Sequence, residues 1–250
     1  MINLAALATD PSASRIYAIG DIHGRLDLLL RIEEQIEADL AARPTASPLV
    51  CYLGDYIDRG PASAGVVEHL LGMSRRDDLR RVFLKGNHED RMLAFLDAPA
   101  ANGPRWTAFG GREALASYGL AESELDADDW EAIRDRLAEA LPASHLAFLR
   151  SLELALRWRG YLFVHAGLDP ARSLEAQDPH DLMWIREPFL SSDRDWGVRI
   201  VHGHVIEAEP VLRPNRIGLD TGAYKSGVLT CAALEDGDLR ILQTRLSARA

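Results

Sequence analysis

The sequence predicts an α/β fold, and three observations carry that expectation. Apolar runs of strand length recur at 15–20, 49–53 and 81–85, and stretches with helical spacing separate them. Each run stops at a glycine followed by polar side chains: Gly20-Asp21, Gly54-Asp55 and Gly86-Asn87. The second half returns to strands, ending in two runs that read as an antiparallel pair, 227–234 and 239–244. A β-α-β-α-β order places ligands outside the carboxyl ends of the strands, where these polar clusters sit.

The first strand is Arg15 to Gly20. Asp21 and His23 follow it two residues apart, so in extended backbone they face one point. Leu26 to Leu40 has apolar residues at 26, 29, 30, 32, 36 and 40, a helix with one buried face, and Pro44 and Pro48 close the connection. The second strand, 49–53, leads into Asp55, Asp58 and Arg59. Two carboxylates and a guanidinium at a strand end cannot be core, because unpaired buried charge is too costly. They form a solvated loop, or a site that holds a cation and an anion together. A second helix spans Ala64 to Leu71 and ends around Gly72, and 75–81 is a charged loop. The third strand, 81–85, ends in Gly86-Asn87-His88-Glu89, before a short helix from Asp90 to about Asp97.

Residues 98–111 read as a Pro/Gly-rich loop carrying Trp106. Residues 112–150 read as helices, with an N-cap cluster at Asp126–Asp129 and a break at Pro142. Trp106 and Tyr118 read as ordinary buried aromatics and receive no role. With no internal repeat and no low-complexity linker, residues 1–250 form one domain, and about 98–150 is a helical insertion in it. A strand over 158–164 then leads to His165. A loop covers 178–195, a strand over 198–201 leads to His202-Gly203-His204, and another covers 216–219. Residues 225–227 and 235–237 are turns flanking the last strands.

Composition narrows the partners. The net charge of −10 argues against nucleic acid or an anionic membrane, so phosphate would need locally concentrated positive charge, from metal or a few arginines. No apolar run reaches membrane-spanning length, and residues 1–14 lack a basic leader, so a cytoplasmic location is expected. Cys51 and Cys231, each within an apolar run, are expected as buried thiols. Oligomeric state stays open.

Five strand ends deliver Asp21/His23, Asp55, Asn87/His88, His165 and His202/His204. These oxygen and imidazole donors suit Mn²⁺, iron or Zn²⁺ and disfavour a calcium cage. They exceed one tetrahedral site, so two divalent metal ions sharing a carboxylate is the economical solution, with Asp55 as the bridge. Each pattern alone has an ordinary explanation: a capping aspartate, a turn opening a helix, a core histidine, a surface loop. Five together in one acidic chain do not.

Gly20-Asp-Ile-His-Gly24, Gly54-Asp-Tyr-Ile-Asp-Arg-Gly60, Gly86-Asn-His-Glu89, His165-Ala-Gly167 and Gly203-His204 resemble the signature series of the PPP-type serine/threonine protein phosphatases, within the calcineurin-like metallophosphoesterases. Asp220-Thr-Gly-Ala resembles the bacterial and phage members. The resemblance covers about residues 15–245 and implies a β-sandwich flanked by helices. It implies one metal, manganese first, on Asp21, His23 and Asp55, and a second on Asp55, Asn87, His165 and His204. His202 would sit beside them, supporting the ligands or lining the pocket. His88 would protonate the leaving oxygen, Asp58 would orient His88, and Arg59 would clamp phosphate. Arg186 is preferred over Arg194 as a second clamp. The implied reaction is direct attack of a metal-activated hydroxide on phosphoserine or phosphothreonine, extending to phosphotyrosine. The alternative is symmetrical hydrolysis of diadenosine tetraphosphate, whose enzymes often lack the carboxylate present here as Asp58. A non-catalytic protein keeping the fold would show gaps in the donor series, and none is present.

Overall fold

The computed structural model describes residues 1–7, 12–125 and 129–245, and among them ten strands form two five-stranded sheets. The first holds β1 (Arg15–Ile19), β2 (Pro48–Tyr52), β3 (Arg80–Phe83), β9 (Val228–Glu235) and β10 (Asp238–Arg245), in the order β10-β9-β1-β2-β3. The second holds β4 (Ala155–Trp158), β5 (Tyr161–Val164), β6 (Arg199–His202), β7 (Val211–Leu212) and β8 (Arg216–Gly218), in the order β4-β5-β6-β8-β7. The central strands β1, β2 and β3 are parallel, as are β5, β6 and β8.

Strand alternation builds the layers. Ile16 and Ala18 of β1 pack with Leu49, Cys51, Ala232 and Leu234 against Trp158, Phe163, Val201 and Ile217 of the other sheet. Tyr17 and Ile19 point the opposite way, into a core completed by α1 (Leu26–Ala42) and α2 (Ser63–Ser74). Leu162, Val164 and Ile200 form the outer face of the second sheet, under Leu182 of α9 (Pro179–Trp184) and Phe189. The result is helix, sheet, sheet, helix. Central strands covered on both faces explain the unbroken apolar runs. Cys51 and Cys231 are buried and free. No helix of the described residues is long and apolar enough to cross a membrane.

Several elements depart from expectation. α2 runs through Gly72 to Ser74, because its last turn buries Leu71 and Met73, which offsets the roughly 1 kcal/mol cost of a helical glycine. α3 starts at Asn87 and ends at Asp97, three residues early, since Glu89 folds back to accept from the Gly86 N–H at 2.9 Å. The expected loop at 98–111 is helical: α4 (Pro99–Trp106) has its first proline where no N–H is needed, and a wide turn follows over Thr107–Gly111. Then come α5 (Arg112–Ser117), α6 (Glu122–Leu125), α7 (Trp130–Ala140) and α8 (Ala143–Arg150). Asp129 caps α7 by accepting from the Ala132 N–H; residues 126–128 of the expected cap cluster lie outside the described residues. The single strand expected over 158–164 is a hairpin turned at Arg159-Gly160. The loop expected over 178–195 contains α9, and α10 (Ala223–Ser226) replaces part of the expected turn at 225–227. Asp236 and Gly237, both at positive φ, turn β9 into β10 in the manner favoured by an Asp-Gly pair.

Candidate metal centre

Every loop leaving the carboxyl end of a central strand arrives at one point. Asp21 and His23 follow β1; Asp55, Asp58 and Arg59 follow β2; Asn87 and His88 open α3; His165 follows β5 and His204 follows β6. All are buried except Arg59, which is half-buried. The two sheets are tied together here: the Gly203 N–H donates to His165 O at 2.8 Å, and the His204 N–H donates to both Asp21 oxygens at 3.0 and 3.1 Å. Only a glycine fits at 203, since a Cβ there would lie 1.9 Å from Asp21 Oδ1.

The local backbone is strained. Among the described residues seven non-glycine positions have positive φ, and five of them are His23, Asp55, Asp58, Arg59 and His204. Such conformations cost about 1 kcal/mol or more each and cluster where side chains must be aimed. Glu89 holds part of this geometry. Its buried carboxylate accepts from the N–H groups of Asp55 (2.9 Å), Tyr56 (2.8 Å) and Gly86 (2.9 Å). Burial, then the nearby Asp55 charge, pushes its carboxyl up to about 7. Sequence reasoning assigned Glu89 no role; its place three residues after Gly86 is the capping signal that could have found it.

Two donor clusters share one residue. Ligand-type atoms of His23, Asp55 and His88 lie within 4.8 Å of one another, and so do those of Asp55, His165 and His204. His165 Nδ1 lies 2.9 Å from Leu53 O and so carries the ring proton. Burial lowers the pKa of this ring and keeps it neutral. Its Nε2 lone pair therefore faces Asp55 Oδ1 at 3.4 Å and Asn87 Oδ1 at 3.0 Å, three acceptors together. Such a cradle needs a cation at its centre, and the donor set suits a divalent metal. His204 sets Nδ1 2.8 Å from Asn87 Oδ1, and its buried Nε2 has no partner among the described residues. His23 is likewise held through Nδ1 on Ile57 O (2.9 Å), and its Nε2, 3.5 Å from Asp55 Oδ2, accepts from Arg59 Nη1 at 2.9 Å.

Asp21 stands apart from both clusters. It lies against His204 and beside buried Asp220, and burial followed by the Asp220 and Asp55 charges raises its pKa well above the usual range. His202 points away from the centre, toward Arg216 Nη1 at 3.3 Å and edge-on to Phe189, so it lines no part of the pocket. Arg194 is also elsewhere, stacked 4.3 Å over Trp196. Arg186 lines the cleft in front of the centre.

His88 is backed by an unexpected partner. Its Nδ1 lies 2.6 Å from Asp58 Oδ2, and its Nε2 faces the cluster, 3.9 Å from Asp55 Oδ2. Trp106, at the end of α4, donates Nε1–H to both Asp58 oxygens at 2.9 and 3.2 Å. Burial alone would lower the pKa of His88, but Asp55 and the Asp58 bond outweigh it and raise it. Trp106 thus has a contact that sequence reasoning missed. Nothing in the local sequence distinguishes a tryptophan that props a carboxylate from one that only fills space.

The mouth is cationic. Arg59, Asn87, His88, Arg91, Arg105, Phe109, Trp184, Arg186 and His204 line a cleft of about 260 Å³. It adjoins a second of about 330 Å³, through Arg91, Arg105 and Trp184, and a third of about 250 Å³, through Arg59, Arg186 and His204. A wider cavity of about 480 Å³ beside Arg31 and Thr244 holds none of the clustered donors.

A family model described as calcineurin-like phosphoesterase matches residues 14–230. An asymmetrical bis(5'-nucleosyl)-tetraphosphatase of Anoxybacillus flavithermus is 25% identical over 232 residues, 85% of this chain and 87% of that protein. Serine/threonine-protein phosphatase 1 of Salmonella typhimurium is 27% identical, covering 88% of this chain and 92% of its own. The crystal structure of a putative diadenosine tetraphosphatase superposes with a TM-score of 0.62 at 20% identity, covering 94% of this chain and 96% of that one, a likeness of fold.

Proposed function

The chain belongs to the calcineurin-like phosphoesterases, and from that premise we propose a two-metal hydrolase of phosphate monoesters, with phosphoserine and phosphothreonine in proteins as its first candidate substrates. The observation that carries this reading is the pair of buried donor clusters meeting at Asp55, one of which includes the Asp58-backed His88. His23 and Asp55 would hold one divalent cation, with Asp21, which lies outside the two clusters, as the further ligand the family resemblance implies, and Asp55, Asn87, His165 and His204 would hold the other. The bound cations would lower the pKa of a water and offset phosphoryl charge. Arg59 and Arg186 would bind the equatorial oxygens, a task for which the planar guanidinium suits better than an ammonium. His88 would carry on Nε2 the proton given to the departing oxygen, its ring fixed by Asp58 through Nδ1.

A second reading, hydrolysis of dinucleoside polyphosphates, is favoured by one specific observation. Arg91 and Arg105 line the cleft beside the reacting position, which adds cationic charge beyond a single phosphate. Relatives of both kinds are similar to this chain. Protein loaded with Mn²⁺ and assayed on para-nitrophenyl phosphate, phosphopeptides and diadenosine tetraphosphate separates the two. His88→Asn is expected to lower turnover of alkyl phosphates by about 10²–10⁴ with metal content intact; unchanged turnover would remove His88 from the chemistry. Asp55→Asn is expected to lose metal and activity together.

A further inference from the structure

We propose that Asp220 is a further carboxylate of the metal centre, holding together with Asp21 the cation on the Asp21 side. The inference rests on the two-metal reading above and adds a residue to which that reading gives no part.

Asp220 follows β8, a strand that supplies none of the donors assigned so far. Backbone contacts fix its place. The Leu219 N–H donates to His202 O at 2.8 Å, and the Asp220 carbonyl accepts the Glu207 N–H at 3.0 Å. The end of β1 presses on the same spot, since a Cβ on Gly20 would lie 2.4 Å from Leu219 O. The end of β8 is therefore brought to the point where β1 delivers Asp21, although the two strands belong to different sheets. Asp220 is only 2% exposed. Its charge acts on Asp21, and the Asp55 charge acts on both, so three buried carboxylates share this side of the centre.

A turn-capping role accounts for only half of this side chain. Oδ1 accepts from the Gly222 N–H at 2.9 Å, an ordinary Asx turn. Oδ2 is buried and has no partner among the described residues. Asparagine would make the same cap without burying a charge. The turn is also fastened elsewhere: Thr221 Oγ1 donates to Val228 O at 2.9 Å, and Ser226 Oγ donates to Thr221 O at 2.7 Å. A buried carboxylate oxygen with no donor is costly until a positive charge meets it. Arg59 is the cationic side chain whose charge reaches both Asp21 and Asp220, and it already donates to His23 Nε2 at 2.9 Å. One half-buried guanidinium does not balance three carboxylates. A divalent cation held on this side supplies the missing charge, and carboxylate oxygens are the ligands that a hard ion such as Mn²⁺ prefers.

The test is metal binding, read apart from turnover. Full-length wild type and Asp220→Asn are stripped with EDTA, and Mn²⁺ is titrated back by calorimetry, with bound metal counted after desalting. The amide keeps the cap on Gly222 and removes the charge. The wild type is expected to show two sites. In Asp220→Asn one of them is expected to weaken at least tenfold while the other stays within threefold, and the rise in Tm on adding Mn²⁺ is expected to shrink. The metal-free variant is expected to melt no lower than the metal-free wild type, because two buried carboxylates no longer oppose each other. Unchanged affinities overturn the assignment, and so does equal weakening of both sites with a lower metal-free Tm, the mark of a residue that only supports the turn. If Asp220→Asn fails to fold, Asp220→Ser, which keeps an oxygen for the cap, carries the same comparison. Fewer than two bound Mn²⁺ in the wild type also overturns the assignment. A wild type that binds two cations yet cleaves no phosphate ester sinks the hydrolase reading and leaves Asp220 in its place.

Discussion

Trp106 touches no metal donor, yet its indole N–H holds both oxygens of the carboxylate that orients His88. A buried carboxylate with one donor removed becomes costly to keep ionised, and the hydrogen-bonded chain behind the imidazole loosens. Trp106→Phe keeps most of the apolar volume and removes the donor. It is expected to lower kcat on alkyl phosphates about tenfold while metal content and KM hold, a split that steady-state kinetics and metal analysis measure. Legibility at this scale was uneven. Asp55 and His165 could be read from strand-then-donor spacing because each follows an apolar run within two residues, whereas His204 was separated from His202 only by the family resemblance. Trp106, Glu89, Arg91 and Arg105 could not, since their partners lie in other elements and depend on packing that periodicity does not encode.

At the scale of elements, the β6 loop is fixed by one absent side chain. Gly203→Ala puts a methyl into Asp21, which must then give up its two bonds from the His204 N–H. The expected loss is roughly 1–3 kcal/mol in chemical denaturation, as overpacking costs elsewhere, together with weaker metal retention on dialysis; wild-type values for both would refute the tight approach. The segment over 98–111 shows why elements were harder to read than the centre. Two prolines and three glycines over 99–111 signal a loop, yet the segment coils into α4 and a wide turn, burying Trp106 completely. Tertiary burial outweighed local propensity there. Within the turn Gly110, φ 105°, accepts the Arg59 N–H on its carbonyl at 3.0 Å, so this segment helps to seat Arg59.

Across the whole molecule, the end of the first sheet opposite the metal centre is closed by a polar clasp. Asp39 accepts from Tyr17 Oη at 2.6 Å and Arg240 Nη2 at 2.8 Å, and Arg15 spans to Glu235 at 2.6 Å. The Arg240 bonds, outweighing burial, lower the Asp39 carboxyl to about 2. Because the folded value lies below the unfolded one of about 3.9, the stabilisation is complete above pH 4 and fades as pH falls toward 2. Asp39→Asn is expected to be less stable at neutral pH and to show a shallower acid limb between pH 4 and 2, followed by circular dichroism. Metal removal acts at the other end. Donors from both sheets meet there, so a cation at a hundredfold excess over its Kd would stabilise by about 2.7 kcal/mol, and EDTA is expected to lower Tm by several degrees with no change of fold.

The left-handed residues around the centre carry a lesson for protein engineering. Glycine would relax His23, Asp55, Asp58, Arg59 and His204 without complaint from the backbone, and a search for thermal robustness would be drawn to those five positions. Every such gain would erase a reactive side chain. In this molecule, durability and turnover compete for the same handful of residues.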